Sequence, residues 1–223
     1  MLKLETDFIR EFPVSSKTDR DAEAVLLIEY IKELAKEKKI ESLLDIGAHY
    51  SATQTHYANQ IRPFVTRYDG IDILDDPVCR QLLDNYYVGN AIGYPYDLKS
   101  YDTVICVSTI EHAGVSTYKG DHVMERMKLF EACLSMAKKH LWISFPVGQE
   151  YTYPGELSVI TDKQLKRWET LTSNFKVKER FFYTQGAQAG HPWREHTKRE
   201  VAVKIPYIDF IGNQSIGVLE VTK

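Results

Sequence analysis

The 223-residue chain predicts a doubly wound α/β fold: a mostly parallel sheet of seven strands with an antiparallel hairpin at its edge. Three observations carry that expectation. The run Ser42-Leu43-Leu44-Asp45-Ile46-Gly47-Ala48-His49-Tyr50-Ser51 is a short apolar strand ending in an acid, followed at once by a small-residue turn. A second apolar strand, Tyr68-Asp69-Gly70-Ile71-Asp72, also ends in an acid. Strand and helix signals then alternate along the chain, as they do where parallel strands are joined by crossover helices.

Residues 1–40 read as a lead-in followed by a helix, and 41–223 as one α/β domain. The first 17 residues lack periodicity and are expected to be irregular. Thr18 can cap a helix, with Asp21 three positions on as a short-armed capping box. Ala24, Leu27, Ile28, Ile31, Leu34 and Ala35 follow at helical spacing, which predicts a helix over about 19–37. Strands are expected at 42–46, 66–71 and 86–88, with helices over about 52–61 and from Pro77 to about 84. The continuous apolar run 103–107 suits a strand covered on both faces. A helix over 121–138 presents Val123, Met127, Phe130, Leu134 and Ala137 on one side, and 140–145 forms a strand halted by Pro146. Thr161 caps a helix that buries Leu165, Trp168 and Leu171. Segments 175–183 and 215–221 close the chain as a hairpin. The link of about 184–212 between them, rich in Gly and Pro, reads as a long loop insertion without regular structure.

Composition narrows the class. Twenty-eight basic against 31 acidic residues give a net charge of −3, which offers no footprint for a nucleic-acid backbone. Three widely spaced cysteines contain no CxxC pair, so neither a disulfide framework nor a cysteine-rich zinc site is implied. No apolar stretch approaches the ~20 residues that span a bilayer. The N-terminus, of mixed charge, lacks a signal-peptide core, and the expected compartment is the cytoplasm.

Five segments stand in a telling order: the acid-Gly turn at 45–51, Asp72, Gly89-Asn90-Ala91 with Tyr94-Pro95-Tyr96 behind it, Tyr101 to His112, and Leu141 to Gly148. This order resembles the class I S-adenosylmethionine-dependent methyltransferases, with their Rossmann-like sheet, over about 40–223. The Ser-Thr-Ile-Glu-His-Ala-Gly run, with Gly120-Asp121 downstream, is similar to a bacterial subgroup associated with surface-polysaccharide or sugar-nucleotide modification. The resemblance implies S-adenosylmethionine as cofactor and a small-molecule or sugar-type methyl acceptor. It implies that Asp45 receives the methionine ammonium and that Gly47, His49 and Ser51 form the cofactor turn. Asp72, with Ile73 beside it, would accept from the ribose hydroxyls, Asn90 and Ala91 would meet the adenine, and Ser108 would flank the methionine end. One departure matters. The family's turn has three glycines, and here His49 and Ser51 stand in two of those places.

His112 is the candidate general base, since an imidazole with a pKa near ~6.5 takes a hydroxyl proton at neutral pH, and Glu111 stands beside it. On the acceptor side the candidates are Tyr118 and, in the late link, His191, Trp193 and Arg194, read as a lid with the arginine pairing an anionic group. His191 and His196 are five apart rather than i, i+4, so no metal site is expected. A nicotinamide oxidoreductase would need the glycines that His49 and Ser51 replace, and no Tyr-x-x-x-Lys pair follows the fourth strand. A degenerate fold serving as a non-catalytic binding protein is the other alternative. The oligomeric state is not read from the sequence.

Overall fold

The computed structural model describes residues 8–11, 18–49, 55–93, 100–115, 122–149, 152–153, 157–185, 191–196, 198–205 and 214–223. Helix α1 (Asp19–Leu34) opens on the expected capping box: the Asp21 N–H donates to Thr18 Oγ1 at 3.1 Å, and the Thr18 N–H donates to Asp21 Oδ2 at 3.1 Å. Next come β2 (Ile40–Ile46), α2 (Thr55–Ile61), β3 (Val65–Asp72), α3 (Pro77–Leu82), β4 (Asn85–Val88) and β5 (Tyr101–Val107), preceded in the chain by a short strand β1 (Phe8–Glu11). Helix α4 (His122–Met136), strand β6 (Ala137–Pro146), a small hairpin of β7 (Thr152–Tyr153) and β8 (Leu157–Ser158), and helix α5 (Asp162–Leu171) follow. The chain ends with β9 (Lys176–Thr184), β10 (Arg194–His196), α6 (Arg199–Ala202) and β11 (Gln214–Thr222).

The large sheet has nine strands in the order β1-β10-β9-β11-β6-β5-β2-β3-β4. Strands β4, β3, β2, β5 and β6 pair in parallel, and β11 then pairs antiparallel to both β6 and β9. The seven strands from β9 to β4 are thus the predicted sheet, with β9 and β11 as its antiparallel hairpin. The antiparallel edge is present as expected and extends beyond the hairpin, because β10 pairs with β9 and β1 pairs with β10. Consequently the lead-in contains a strand, and the late link contains β10 and the short helix α6.

Side chains alternate across the sheet, as the pleat requires. Leu43, Tyr68, Ile105 and Trp142 face one core layer with Leu27 and Ile31 of α1. Leu44, Val104, Leu141 and Ile143 face the other, with Phe130 of α4 and Trp168 of α5, whose rings stack 4.7 Å apart. The sequence placed the apolar stripe of α4 on Val123, Met127, Phe130, Leu134 and Ala137. Phe130 is buried as expected, Ala137 is buried where it opens β6, and Met127 and Leu134 are half-buried against the core. The fully buried side of the helix runs through Arg126, Leu129, Phe130, Cys133 and Met136. The helix is rotated toward a buried arginine, for a reason that lies at the strand tips.

Candidate functional site

The chain leaves β2 toward β3 and β4 on one side and returns to β5 and β6 on the other. Ligands of open α/β sheets collect where the strand order reverses, outside the carboxyl ends of the strands. A cavity of about 540 Å³ opens at that place, walled by the ends of β2, β3 and β5 and by residues of α1 and α4. Its size falls within the range of small-molecule sites.

The turn after β2 is shaped by Gly47, whose φ is +79°. A Cβ built there would lie 2.0 Å from Thr109 Oγ1, so the loop after β5 sits where a side chain would be. That makes Gly47 the one glycine of the motif whose absence of a side chain the neighbouring loop requires. The N–H groups of Gly47 and Ala48 both donate to the Ile71 carbonyl, at 2.9 and 3.2 Å, tying the turn to β3. His49 replaces a family glycine with negative φ, and its N–H donates to Asp72 Oδ2 at 3.2 Å. Asp72 Oδ1 accepts from the Leu74 N–H at 2.9 Å. Two backbone donors thus hold the carboxylate still at the tip of β3.

Of the predicted residues, the cavity brings together Gly47, His49, Asp72, Ile73, Asn90, Ala91, Ser108 and His112. Asn90 Oδ1 accepts from the Ile92 N–H at 2.9 Å, an Asx turn that points the rest of the amide outward. Ser51 and Tyr118 lie outside the described residues.

Asp45 is placed differently from the expectation. It is buried behind the turn, where its Oδ2 accepts from the hydroxyls of Tyr57 (3.0 Å) and Tyr68 (2.9 Å), and it does not line the cavity. Glu111 is likewise behind the wall rather than on it, fully buried, with Oε1 3.7 Å from His112 Nε2. The lid reading of the late link is corrected too. Trp193 is buried, in the core layer that also holds Leu27 and Ile31 of α1, Phe182 of β9 and Val218 of β11, His191 is exposed, Arg194 belongs to β10, and none of the three lines the cavity. A strand of three residues is too short to show alternation in the sequence.

What the sequence reading missed is a buried polar cluster under the wall. Glu23 of α1, buried, accepts a 2.7 Å hydrogen bond from Ser108 Oγ. Burial first, and then the like charges of Asp19 and Glu111, push its carboxyl up to about 8, against the lowering effect of the Ser108 and Ser144 hydroxyls. Burial also raises the Glu111 carboxyl, while His112, its own backbone N–H, Arg20 and Arg126 pull it down. Arg126 of α4 donates to the Glu111 carbonyl at 2.8 Å, and burial lowers its guanidinium to about 10. This is why α4 turns Arg126 inward. Arg20 joins the cavity wall from the first turn of α1. The signal for Glu23 was present in the sequence: it stands four residues before Leu27 and eight before Ile31, on the apolar face of its helix.

No protein-family model matches this sequence, and no curated protein matches it either. Solved structures do match its fold. The plantazolicin methyltransferase in complex with S-adenosylhomocysteine superposes with a TM-score of 0.55, at 14% identity over 94% of this chain and 86% of that one. A S-adenosylmethionine-dependent methyltransferase of Leishmania major gives 0.56, at 12% identity over 89% and 73%. Coclaurine N-methyltransferase bound to N-methylheliamine and S-adenosylhomocysteine gives 0.54, at 12% identity over 97% and 76%. With the seven-strand order, the reversed β11 and the cavity at the switch point, these likenesses establish that the chain has the fold of the class I S-adenosylmethionine-dependent methyltransferases.

Proposed function

We propose that this protein is an enzyme that binds S-adenosylmethionine in the cavity at the switch point and transfers its methyl group to a small-molecule acceptor. The observation that carries the reading is Asp72. Each of its carboxylate oxygens accepts one backbone N–H, and a carboxylate oxygen has two lone-pair sites. One acceptor site remains on each oxygen, which suits the two vicinal hydroxyls of a ribose. Asn90 supports the same placement: with Oδ1 engaged by Ile92, its NH₂ is the group available to an adenine ring nitrogen. Ile71, Ile73 and Ile92 supply apolar surface for the base between them.

When bound, the sulfonium donor supplies a methyl group already activated for transfer. The residues of this chain then have to align the acceptor with that methyl and keep water out, and alignment of this kind is worth effective molarities of ~10⁵ M or more. An acceptor that carries a hydroxyl or amine proton also needs a group to take it. The wall offers the His112 imidazole, leaning on buried Glu111, and the Ser108 hydroxyl, leaning on buried Glu23. A sugar-type acceptor is the class that the sequence resemblance implies.

Calorimetric titration with S-adenosylhomocysteine and, separately, with NAD tests the reading. Micromolar binding of S-adenosylhomocysteine is expected, weakened at least about tenfold in Asp72→Ala, since hydrogen bonds to a charged group contribute ~1.5–3 kcal/mol each. Binding of NAD alone would select the oxidoreductase reading instead, and binding of neither would leave no cofactor role for the cavity.

A further inference from the structure

We propose that Ser108 and Glu23 form the proton-accepting pair of this site: Ser108 Oγ takes the proton of the methyl acceptor as it passes its own proton to Glu23. This rests on the methyl-transfer reading above and goes beyond it, because it assigns the base to a helix outside the predicted domain. Ser108 lines the cavity directly after β5, at the carboxyl end of the strand, where ligands of open α/β sheets collect. Its φ is +43°, a left-handed conformation that side chains other than glycine rarely adopt. It is held there by its N–H, which donates to the Ser144 carbonyl at 3.3 Å and meets Ser144 Oγ at 3.4 Å. Such strain persists where the surroundings over-determine it, and it clusters at functional positions. Here it keeps the hydroxyl between the cavity and Glu23, 2.7 Å from Oε2.

Among the described residues, the groups that act most strongly on Glu23 are the acids Asp19 on its own helix and Glu111 on the loop after β5, and the hydroxyls of Ser108 and Ser144 at the tips of β5 and β6. Arg20 and Arg126 act on Glu111. Glu23 Oε1 has no hydrogen-bond partner among the described residues. A buried carboxylate without a cation is costly, whereas a glutamine of the same shape would satisfy Ser108 at no such cost. What the carboxylate adds is proton affinity in the neutral range, where general bases work best. A serine hydroxyl cannot keep an extra proton, so it needs that partner. Glu23 acts through Ser108 and is a positioning residue, while Ser108 is the group that meets the acceptor.

The step balances. The methyl–sulfur bond breaks with its electron pair left on sulfur, which passes from sulfonium to neutral thioether. A lone pair of the acceptor atom forms the new bond to the methyl carbon. The acceptor's proton moves to Ser108 Oγ, the proton of Ser108 moves to Glu23 Oε2, and the carboxylate becomes a carboxylic acid that later returns its proton to water.

The test uses the full chain, methyl-labelled S-adenosylmethionine and the small-molecule fraction of a cell lysate as acceptor mixture, with initial transfer measured from pH 5.5 to 9.5. Transfer by the native chain is expected to rise about tenfold per pH unit and level off near 8. Glu23→Gln and Ser108→Ala are each expected to lose tenfold or more and to lose that inflection, with the S-adenosylhomocysteine affinity of Glu23→Gln, whose side chain does not line the cavity, within about threefold of native. Infrared difference spectra give the second readout: a protonated-carboxyl carbonyl band, missing in Glu23→Gln, that fades as the pH passes about 8. An inflection near 6.5 that His112→Ala removes and Glu23→Gln retains would assign the proton to His112 and overturn the proposal. Donor binding without any transfer would overturn it as well and leave the donor site standing. Failure of the native chain to bind S-adenosylhomocysteine would instead sink the methyl-transfer reading itself.

Discussion

Gly47 is the residue on which the turn after β2 depends. Its φ of +79° costs alanine roughly 1–2 kcal/mol, and the new Cβ would overlap the Thr109 side chain. Gly47→Ala is therefore expected to destabilise the protein by about 2 kcal/mol or more, lowering Tm by about 4 °C or more for a chain of this size. It should also weaken S-adenosylhomocysteine binding, since the Gly47–Ala48 turn must move away from the loop after β5. Adding Thr109→Ala removes the Oγ1 and Cγ2 contacts but not the φ, so the double variant should recover only part of the Tm; full recovery or none would contradict this account. At this scale the sequence was informative where a residue's role is local. The placement of Asp72 and Asn90 at the cavity could be read because each is held by backbone donors within its own turn or the adjacent one. The roles of Asp45 and Glu23 could not, because each is set by partners from distant parts of the chain: Tyr57 and Tyr68 in one case, Ser108 in the other, 85 positions away.

Helix α1 links the residue scale to the fold, since it brings Arg20 to the cavity wall and Glu23 behind it, both from outside the predicted domain. Its first turn is held by the Thr18–Asp21 capping box, and Arg20 lies within that turn. Thr18→Ala is expected to cost about 1 kcal/mol and to lower Tm by about 2–4 °C. Because fraying loosens Arg20 before it loosens the buried Glu23, amide exchange should accelerate over residues 19–22 well before 26–31; uniform acceleration along the helix would refute that. The long elements were legible because their apolar periodicity is sustained over several turns or pleats. Strands β1 and β10 were not, since strands of three and four residues carry no period and exist through pairing with β9 and each other. Trp193, beside β10, has the composition of a lid residue, but it is buried in the same core layer as α1. Trp193→Ala is expected to cost about 3–5 kcal/mol in urea unfolding while leaving S-adenosylhomocysteine affinity unchanged. A loss of affinity without a loss of stability would restore the lid.

Across the whole molecule, the near-neutral balance of 28 basic and 31 acidic residues hides an uneven distribution. Most charged side chains lie on the surface, whereas Glu23, Glu111 and Arg126 are enclosed behind the cavity wall, and no helix among the described residues is long and apolar enough to cross a membrane. The enclosed acids give the fold a pH dependence opposite in sign to ordinary acid denaturation. The Glu23 carboxyl is raised from 4.5 to about 8, so the native state keeps a proton that the unfolded chain releases over that interval. Where the native state binds more protons, stability falls as pH rises. The contribution is thus fully present below about 4.5 and is lost progressively as the pH climbs through about 8. Glu111 and Glu179, also raised by burial, act in the same direction, and His140, lowered by burial and by Lys139, acts against them. One pKa unit corresponds to ~1.4 kcal/mol, so Glu23 alone is expected to remove on the order of a few kcal/mol of stability between pH 5 and pH 8. Glu23→Gln carries no titrating group there and keeps an acceptor for Ser108. Its urea-unfolding free energy should therefore decline much less than that of the native chain over the same range, with the two curves converging toward pH 5 and diverging toward pH 8. Parallel curves would mean that Glu23 titrates near its ordinary value inside the fold, and the proton store behind Ser108 would not exist.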